Sequence, residues 1–176
     1  MNLETVILGF LNLEPMSGYD LSKQIDSSVG FFWHATHPQI YSTLKKLEVE
    51  GYVTFEHEIQ KSGPTKKIYT ITATGKQFFL DELTPIEPQL VKFPLLVSMF
   101  LGAELGIEFW RNALPLQIAE REKELQVYNQ ILKEIPKDDP SNDLGNYLRL
   151  RTLYFGIGYQ KFFIKWLQKT LQELEK

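Results

Sequence analysis

The sequence predicts a mainly α-helical protein with one small β-hairpin, split into an N-terminal domain of mixed structure and an all-helical C-terminal domain. Apolar residues recur at the helical period of about 3.6 through most of the 176 residues. Two short runs rich in β-formers flank a Ser-Gly-Pro turn near residue 63. Prolines at residues 85 and 88 interrupt the helical pattern, because proline cannot continue a helix. We therefore place the domains at residues 1–84 and 85–176.

The N-terminal domain opens with two predicted helices. Residues 4–13 carry an apolar stripe, and residues 14–16 break the pattern. Ser17 can then cap a second helix that runs to about Ser28, because a serine followed three residues later by the Asp20 carboxylate forms a capping box. Gly30 can end this helix. Backbone N–H groups at its start could touch a phosphate, although we favour the simpler interpretation of a helix cap.

Residues 37–51 are predicted to form a helix with two unlike faces. Ile40, Leu44 and Leu47 share one apolar stripe, which requires a core. The other face holds short polar and cationic side chains, namely Gln39, Ser42, Thr43, Lys45 and Lys46. Thr36 can cap the helix, and Gly51 can supply the left-handed residue that ends it. Such a helix suits a DNA groove, but a solvated surface helix shows the same pattern.

The segment after Gly51 favours DNA recognition over a plain surface helix. Val53, Phe55 and Ile59 lie on one side of a predicted strand, residues 60–65 form a turn, and residues 66–71 are again β-rich. A helix followed by glycine, a strand, a lysine-bearing turn and a second strand is typical of a winged helix-turn-helix domain. The hairpin is then the wing, and the helix predicted within residues 37–51 is the recognition helix.

The same segment resembles the PadR family of bacterial transcriptional regulators. The resemblance is carried by Ile40-Tyr41-x-x-Leu44-Lys45-Lys46-Leu47-x-x-x-Gly51-Tyr52-Val53 and by Lys66-Lys67-x-Tyr69-x-Ile71-Thr72-x-x-Gly75. The phrase Phe32-Trp33-x-Ala35-x-His37-x-Gln39-Ile40-Tyr41 is similar to the phenolic-acid-responsive repressors of that family. A looser resemblance continues through Leu144-Gly145-x-Tyr147-Leu148 and Trp166-Leu167. It implies dimerisation through the C-terminal region, a hydroxycinnamate-type inducer and a decarboxylase gene as the target.

We predict that contacts with a duplex operator come from the recognition helix and the wing. The contacts with the major groove would be Gln39, Tyr41, Ser42 and Lys45, with Lys46 on a phosphate. Tyr41 lies between the two helix faces, so its assignment follows from the family resemblance. The wing contacts would be Lys61, Thr65, Lys66 and Lys67. A net charge of -3 and the neighbouring glutamates argue mildly against DNA binding, so those carboxylates must point elsewhere.

The C-terminal domain is predicted to contain three helices, at residues 91–101, 103–134 and 143–176. Pro115 is expected to kink or split the second helix. Asn142 or Asp143 can cap the last helix, whose apolar stripe is too wide for three helices to cover. We therefore predict a homodimer joined by the C-terminal helices, which would also present two reading modules to an inverted repeat.

Aromatic residues 31–33 precede the recognition helix. Packing in a core or an interface is their ordinary role, because each ring buries a large area. The alternative is a pocket for a small aromatic acid, in which an arginine would hold the carboxylate. Chosen by residue type alone, the candidate effector contacts are Phe31, Trp33, Trp110, Arg111 and Tyr154.

Little in the sequence points to catalysis. The chain has no cysteine, and His34 and His37 lack a third candidate metal ligand. No phosphate loop or nucleophile motif is evident, so we expect no enzyme, no metal and no cofactor. No targeting or membrane-length segment is evident either, which predicts a cytoplasmic protein. Two alternatives stay open: a winged-helix adaptor that binds another protein, and a small-molecule sensor that binds no DNA.

Overall fold

The computed structural model describes residues 2–31, 33–59, 65–84, 92–135 and 143–176. The chain forms two compact units, Met1–Leu90 and Val91–Lys176. Helices and one small antiparallel sheet make up the described elements, which confirms the predicted fold class. The expected linker prolines, Pro85 and Pro88, lie outside the described residues, and the domain boundary after residue 84 stays a prediction. No described helix is both long enough and apolar enough to cross a lipid bilayer.

The helices of the first unit begin and end largely where local signals predict. They are α1 (Leu3–Leu13), α2 (Gly18–Ser27), α3 (His37–Val49) and α4 (Ala73–Leu83). Ser17 caps α2, since its Oγ accepts a hydrogen bond from Asp20 N at 3.1 Å. Gly51 adopts a φ of +75°, the left-handed conformation predicted for the end of α3. The expected stop at Gly30 is wrong: Ser28 already leaves the helical region, and Gly30 lies inside a 3-10 turn, Val29–Phe31.

The wing belongs to a three-stranded antiparallel sheet in the order β1–β3–β2. The strands are β1 (Met16–Ser17), β2 (Val53–Glu58) and β3 (Lys66–Ile71). Phe55 pairs with Tyr69 and His57 pairs with Lys67, so these four side chains share one face of the sheet. Sequence reasoning predicted only β2 and β3, because two residues are too few to show alternation. Through β1, the start of α2 is held beside the wing.

The core of the first unit lies between its helices and the sheet. Its fully buried members are Ile7, Leu8, Leu21, Ile25, Ile40, Leu44, Leu47 and Val53. The predicted stripe of α3 is therefore inside, and the opposite face of that helix is turned to solvent. A polar contact also joins α2 to α3, because the buried Ser22 hydroxyl lies 3.1 Å from Nδ1 of His37.

The second unit is helical throughout its described residues. Its helices are α5 (Pro94–Leu101), α6 (Gly106–Glu134) and α7 (Leu144–Leu174), with a 3-10 turn at Gly102–Leu105. The predicted start of the middle helix at residue 103 is wrong, because Gly106 takes a φ of +75° and separates the turn from α6. Although a kink or a split was expected at Pro115, α6 runs through it as one helix, with Leu114 and Ile118 buried beside it.

A buried polar group lies between α6 and α7, which run antiparallel. Gln160 is only 4% exposed, accepts a hydrogen bond from Arg121 Nη1 at 3.1 Å and donates one to Glu124. The Arg121 guanidinium also lies 3.8 Å from the centre of the Phe163 ring. Sliding α7 along α6 would leave Gln160 without these partners, at a cost of about 1–3 kcal/mol. The polar group therefore favours one register of the two helices.

Candidate nucleic-acid interface

The solvent-facing side of α3 carries mostly polar side chains. Gln39, Ser42, Lys45 and Lys46 are exposed, and Tyr41 is 48% exposed. Thr43, which was also assigned to this face, is partly buried. Short polar groups and a lysine on one helix face can offer hydrogen-bond donors and acceptors to base edges in a major groove.

Two of these side chains are already oriented by their own helix. Gln39 Oε1 accepts hydrogen bonds from Thr36 N at 2.8 Å and from Thr36 Oγ1 at 3.0 Å, at the start of α3. The Nε2 group of Gln39 takes no part in these bonds and can donate to a base. Ser42 Oγ donates to Gln39 O at 3.0 Å, so its oxygen is left to accept. Preorientation of this kind lowers the entropic cost of binding.

An open groove of about 620 Å³ lies between α3, the start of α2 and the wing. We call it the wing groove. Its lining residues are Ser17, Gly18, Tyr19, Tyr41, Lys45, Glu48, Thr65, Lys66, Lys67 and Tyr69. Three lysines and one carboxylate make the lining cationic on balance. A channel of this charge beside an exposed helix face can hold a phosphate backbone.

The lysines assigned to DNA differ in what they contact. Lys45 and Lys66 form no ion pair with any described residue. Lys46 Nζ lies 2.5 Å from Glu4 Oε1 on α1 and 3.7 Å from Glu50 Oε1. The hydrogen bond with Glu4 raises the pKa of Lys46 above its ordinary value. Lys46 therefore stays protonated, and its positive charge is partly compensated by the two carboxylates.

Lys67 is held by two contacts inside the wing groove. Its Nζ lies 3.5 Å from Glu48 Oε2 on α3 and 3.6 Å from the centre of the Phe55 ring on β2. The contact with Glu48 joins the wing to the recognition helix, and the contact with Phe55 lies within the wing. Thr65 is exposed at the tip side of β3, whereas Lys61 lies outside the described residues.

Comparison with known proteins assigns the chain to a family. Residues 7–81 match the family described as transcriptional regulator PadR-like, and residues 91–175 match the virulence activator alpha C-terminal family. The chain is 32% identical to the negative transcriptional regulator PadR of Bacillus subtilis, over 99% of this chain and 98% of that protein. The chain belongs to the PadR-like family of transcriptional regulators. The family resemblance found in the sequence is thereby confirmed.

Solved structures of B. subtilis PadR resemble this PadR-like chain over its whole length. The crystal structure in complex with operator DNA gives a TM-score of 0.82 at 31% identity and covers 98% of both chains. The crystal structure in complex with p-coumaric acid gives a TM-score of 0.77 at 30% identity and covers 99% of both chains. PadR-family proteins are dimeric regulators of transcription.

The candidate effector contacts of this PadR-like chain are not gathered in one place within the second unit. Trp110 donates through Nε1 to Gly102 O, and Arg111 donates through Nε and Nη2 to Leu174 O at 3.1 and 2.7 Å. Tyr154 precedes Leu174 by 20 residues in α7, about 30 Å along the helix axis. Trp33 is half-buried in the first unit, and the side chain of Phe31 lies outside the described residues. Their role as effector contacts stays a prediction.

Sequence reasoning missed several residues of the wing groove in this PadR-like chain. Glu48 is the clearest case, since it was expected to point away from the DNA face. It follows Lys45 by three residues and Tyr41 by seven, so all three lie on one flank of the helix. The helical periodicity of the sequence would therefore have predicted Glu48 on the same flank as Tyr41 and Lys45. Tyr69 gave no such signal, because its place in the lining depends on the pairing of β3 with β2 and β1.

Proposed function

We propose that this PadR-like protein is a sequence-specific DNA-binding repressor. The observation that carries the proposal is the wing groove, which places Lys66 of the wing beside Lys45 and the rest of the exposed polar face of α3. A duplex seated there meets α3 with its major groove, while one phosphate backbone follows the wing groove. The similarity to B. subtilis PadR in complex with operator DNA supports this placement.

The proposed contacts divide by chemistry. Gln39, Tyr41, Ser42 and Lys45 face base edges, where each good contact contributes about 1–3 kcal/mol of discrimination. Thr65 and Lys66 meet phosphates. Lys61, which lies outside the described residues, is proposed as a further phosphate contact from the sequence alone. Lys46 and Lys67 reach a phosphate only by breaking their ion pairs with Glu4 and Glu48. Each therefore contributes less to the affinity for DNA than an unpaired lysine would.

Two copies of the chain act together in the proposal. The second unit exposes large apolar side chains, including Phe100, Leu101, Phe155 and Phe162, of which Phe100 is 88% exposed. Exposed apolar surface of this extent is typical of an interface. A second copy that covers it gives a twofold dimer, and a twofold dimer reads an operator that is an inverted repeat.

A phenolic acid is the proposed effector. The B. subtilis relative whose crystal structure contains p-coumaric acid is 30% identical over 99% of this chain, which supports the same ligand class here. Such a ligand releases DNA only if it binds more tightly to a conformation that cannot hold the operator. We propose further that the chain is not an enzyme and works in the cytoplasm, where a bacterial regulator meets its DNA.

The test begins with selection of duplexes from a random-sequence library by the full-length protein. We expect an inverted repeat to be enriched. The variant Ser42→Ala/Lys45→Ala should then lose about tenfold or more in affinity for that duplex, while Lys76→Ala, on the exposed side of α4, keeps wild-type affinity. Millimolar p-coumarate should quench tryptophan fluorescence and release the duplex.

Each part of the proposal can fail separately. A protein that enriches no sequence and binds no duplex at low salt is an adaptor or a sensor instead of a DNA-binding repressor. A protein that binds its selected duplex but ignores p-coumarate remains a repressor with a different effector.

A further inference from the structure

We infer that Glu48 is a specificity-determining residue: its carboxylate weakens binding to non-operator DNA more than binding to the operator. The inference deepens the proposed DNA-binding function and rests on it. Glu48 would thus lower the overall affinity of the wing groove for DNA. It would raise the ratio of the affinity for the operator to the affinity for other sequences.

The placement of Glu48 is the first ground. It lies on the flank of α3 that faces the wing and is the one acidic side chain among the described residues that line the wing groove. Its side chain is 33% exposed, so its charge is only partly screened by water. A phosphate backbone entering the groove must pass this carboxylate, and like charges at close range repel each other.

The contact with Lys67 is the second ground. The Lys67 ammonium lies 3.5 Å from Glu48 Oε2 and 3.6 Å from the centre of the Phe55 ring. Both contacts favour the position that Lys67 has in the protein without DNA. A phosphate that takes Lys67 away leaves Glu48 as an unpaired negative charge beside the DNA. Glu48 therefore lowers the gain from the lysine as well as repelling the phosphate.

The charge of Glu48 acts on the side chain of Tyr69 across the groove. Burial raises the pKa of Tyr69 on β3, and the negative charge of Glu48 raises it further. The carboxylate thus acts on a side chain of the wing, although it belongs to the recognition helix. A phosphate between these two elements would lie within the same range.

Operator and non-operator DNA should respond differently. Non-specific complexes depend almost entirely on phosphate contacts, and the protein slides along the duplex in many registers. In each register the backbone meets Glu48 without compensation. Base contacts in the operator complex fix a single register, in which the backbone path is constant and the additional contacts offset the repulsion. The carboxylate therefore widens the gap between the two affinities.

The experiment compares Glu48→Gln with the matched control Glu56→Gln in the full-length protein. Both variants change the net charge by the same amount. Glu56 alternates with Phe55 and His57 on β2, so it lies on the sheet face opposite Lys67 and outside the groove lining. Affinities are measured by gel shift, across a salt series, for a duplex selected by the wild-type protein and for random-sequence duplexes.

We expect Glu48→Gln to raise affinity for random-sequence DNA about fivefold and for the selected duplex at most about twofold, with a steeper salt dependence on random DNA. Glu56→Gln should change both affinities by the same small factor. Equal gains on both DNAs, or a specificity ratio equal to that of Glu56→Gln, would overturn the inference. So would weaker binding to both DNAs, which would make Glu48 a support for the wing.

A second variant tests the inference independently, in case Glu48→Gln does not fold. Lys67→Met removes the partner of Glu48 and leaves its charge uncompensated in the groove, so random-sequence binding should fall more than selected-duplex binding. An unchanged ratio in Lys67→Met contradicts the inference. If the wild-type protein selects no sequence at all, the proposed function itself is wrong, which is a different result from either variant's failure.

Discussion

The ring of Tyr41 on α3 occupies the space that a side chain at residue 18 would need. A Cβ atom on Gly18 would lie 2.7 Å from Tyr41 Cε1 and 3.1 Å from Tyr41 Cζ. The first turn of α2 and the exposed face of α3 therefore fit together at a glycine. An aromatic side chain assigned to the DNA is positioned by a residue of the preceding helix.

Gly18→Ala should displace the Tyr41 ring and weaken operator binding. The backbone of Gly18 has no positive φ, so alanine fits the backbone there. The Tyr41 side chain has to move, and the buried Leu44, whose Cδ1 would lie 3.3 Å from the new Cβ, has to shift slightly. We expect a loss of about tenfold in affinity for the selected duplex, measured by gel shift. In the Tyr41→Ala background the same substitution should cost clearly less affinity, because the displaced ring is gone and only the close contact with Leu44 remains. Additive losses would show that Gly18 acts independently of Tyr41.

Glu4→Gln should strengthen DNA binding. The substitution removes the charge that holds Lys46 at 2.5 Å, which leaves the ammonium to reach a phosphate. An exposed pair contributes little, so we expect a gain of about twofold and a steeper dependence of affinity on salt. Glu14→Gln, at the other end of the same helix, is the matched control. Weaker binding by Glu4→Gln would mean that the ion pair places Lys46 correctly instead of withholding it.

Lys66→Ala and Lys67→Ala should differ in salt dependence. Lys66 has no ion-pair partner among the described residues, so its loss should reduce the slope of log affinity against log salt by about 0.9 on duplex DNA. Lys67 is paired with Glu48, and its loss should change the slope by clearly less. A double variant with an unchanged slope would remove the wing from the interface.

Tyr128→Phe should make the second unit less sensitive to alkaline pH. Burial raises the pKa of Tyr128, Glu124 raises it further, and a hydrogen bond with Gln160 lowers it. The folded state therefore holds this proton more tightly than the unfolded state, whose value is about 10. The resulting stability is present below pH 10 and is lost as pH rises through the folded pKa. Urea unfolding at neutral and alkaline pH should show a smaller fall for the variant, whereas an equal fall would contradict the prediction.

Phe155→Ser/Phe162→Ser should convert the dimer to a monomer. The two rings are 74% and 68% exposed and stand two turns apart on the same side of α7. Full burial of a phenylalanine side chain contributes about 1.5–3 kcal/mol, so the loss of both rings should lower the dimer fraction at micromolar concentration. Light scattering measures the mass, and Gln168→Ser, on another side of α7, should remain dimeric. A dimeric double variant would place the contact on a different face.

The sequence by itself determined the parts of this protein that depend on neighbours along the chain. The caps at Ser17 and Thr36, the left-handed Gly51 and the inward stripe of α3 all follow from local patterns within a few residues of each other. The wing follows from the alternation of residues along two short β-rich runs, and the family resemblance follows from short motifs in the same segment. Local geometry is enough for them, because a helix or a hairpin places such residues together wherever it occurs.

Only the tertiary structure decided which lysines have no ion-pair partner among the described residues and are available to bind DNA. Lys45 and Lys46 are adjacent in sequence, yet Lys46 meets Glu4, a residue 42 positions away, while Lys45 pairs with no described residue. Sequence patterns also could not predict three other features: the strand β1, the approach of Tyr41 to Gly18, and the placement of Glu48 beside Lys67. Each depends on distances between separate elements, and those distances are fixed when the core packs, so no pattern within a single element records them.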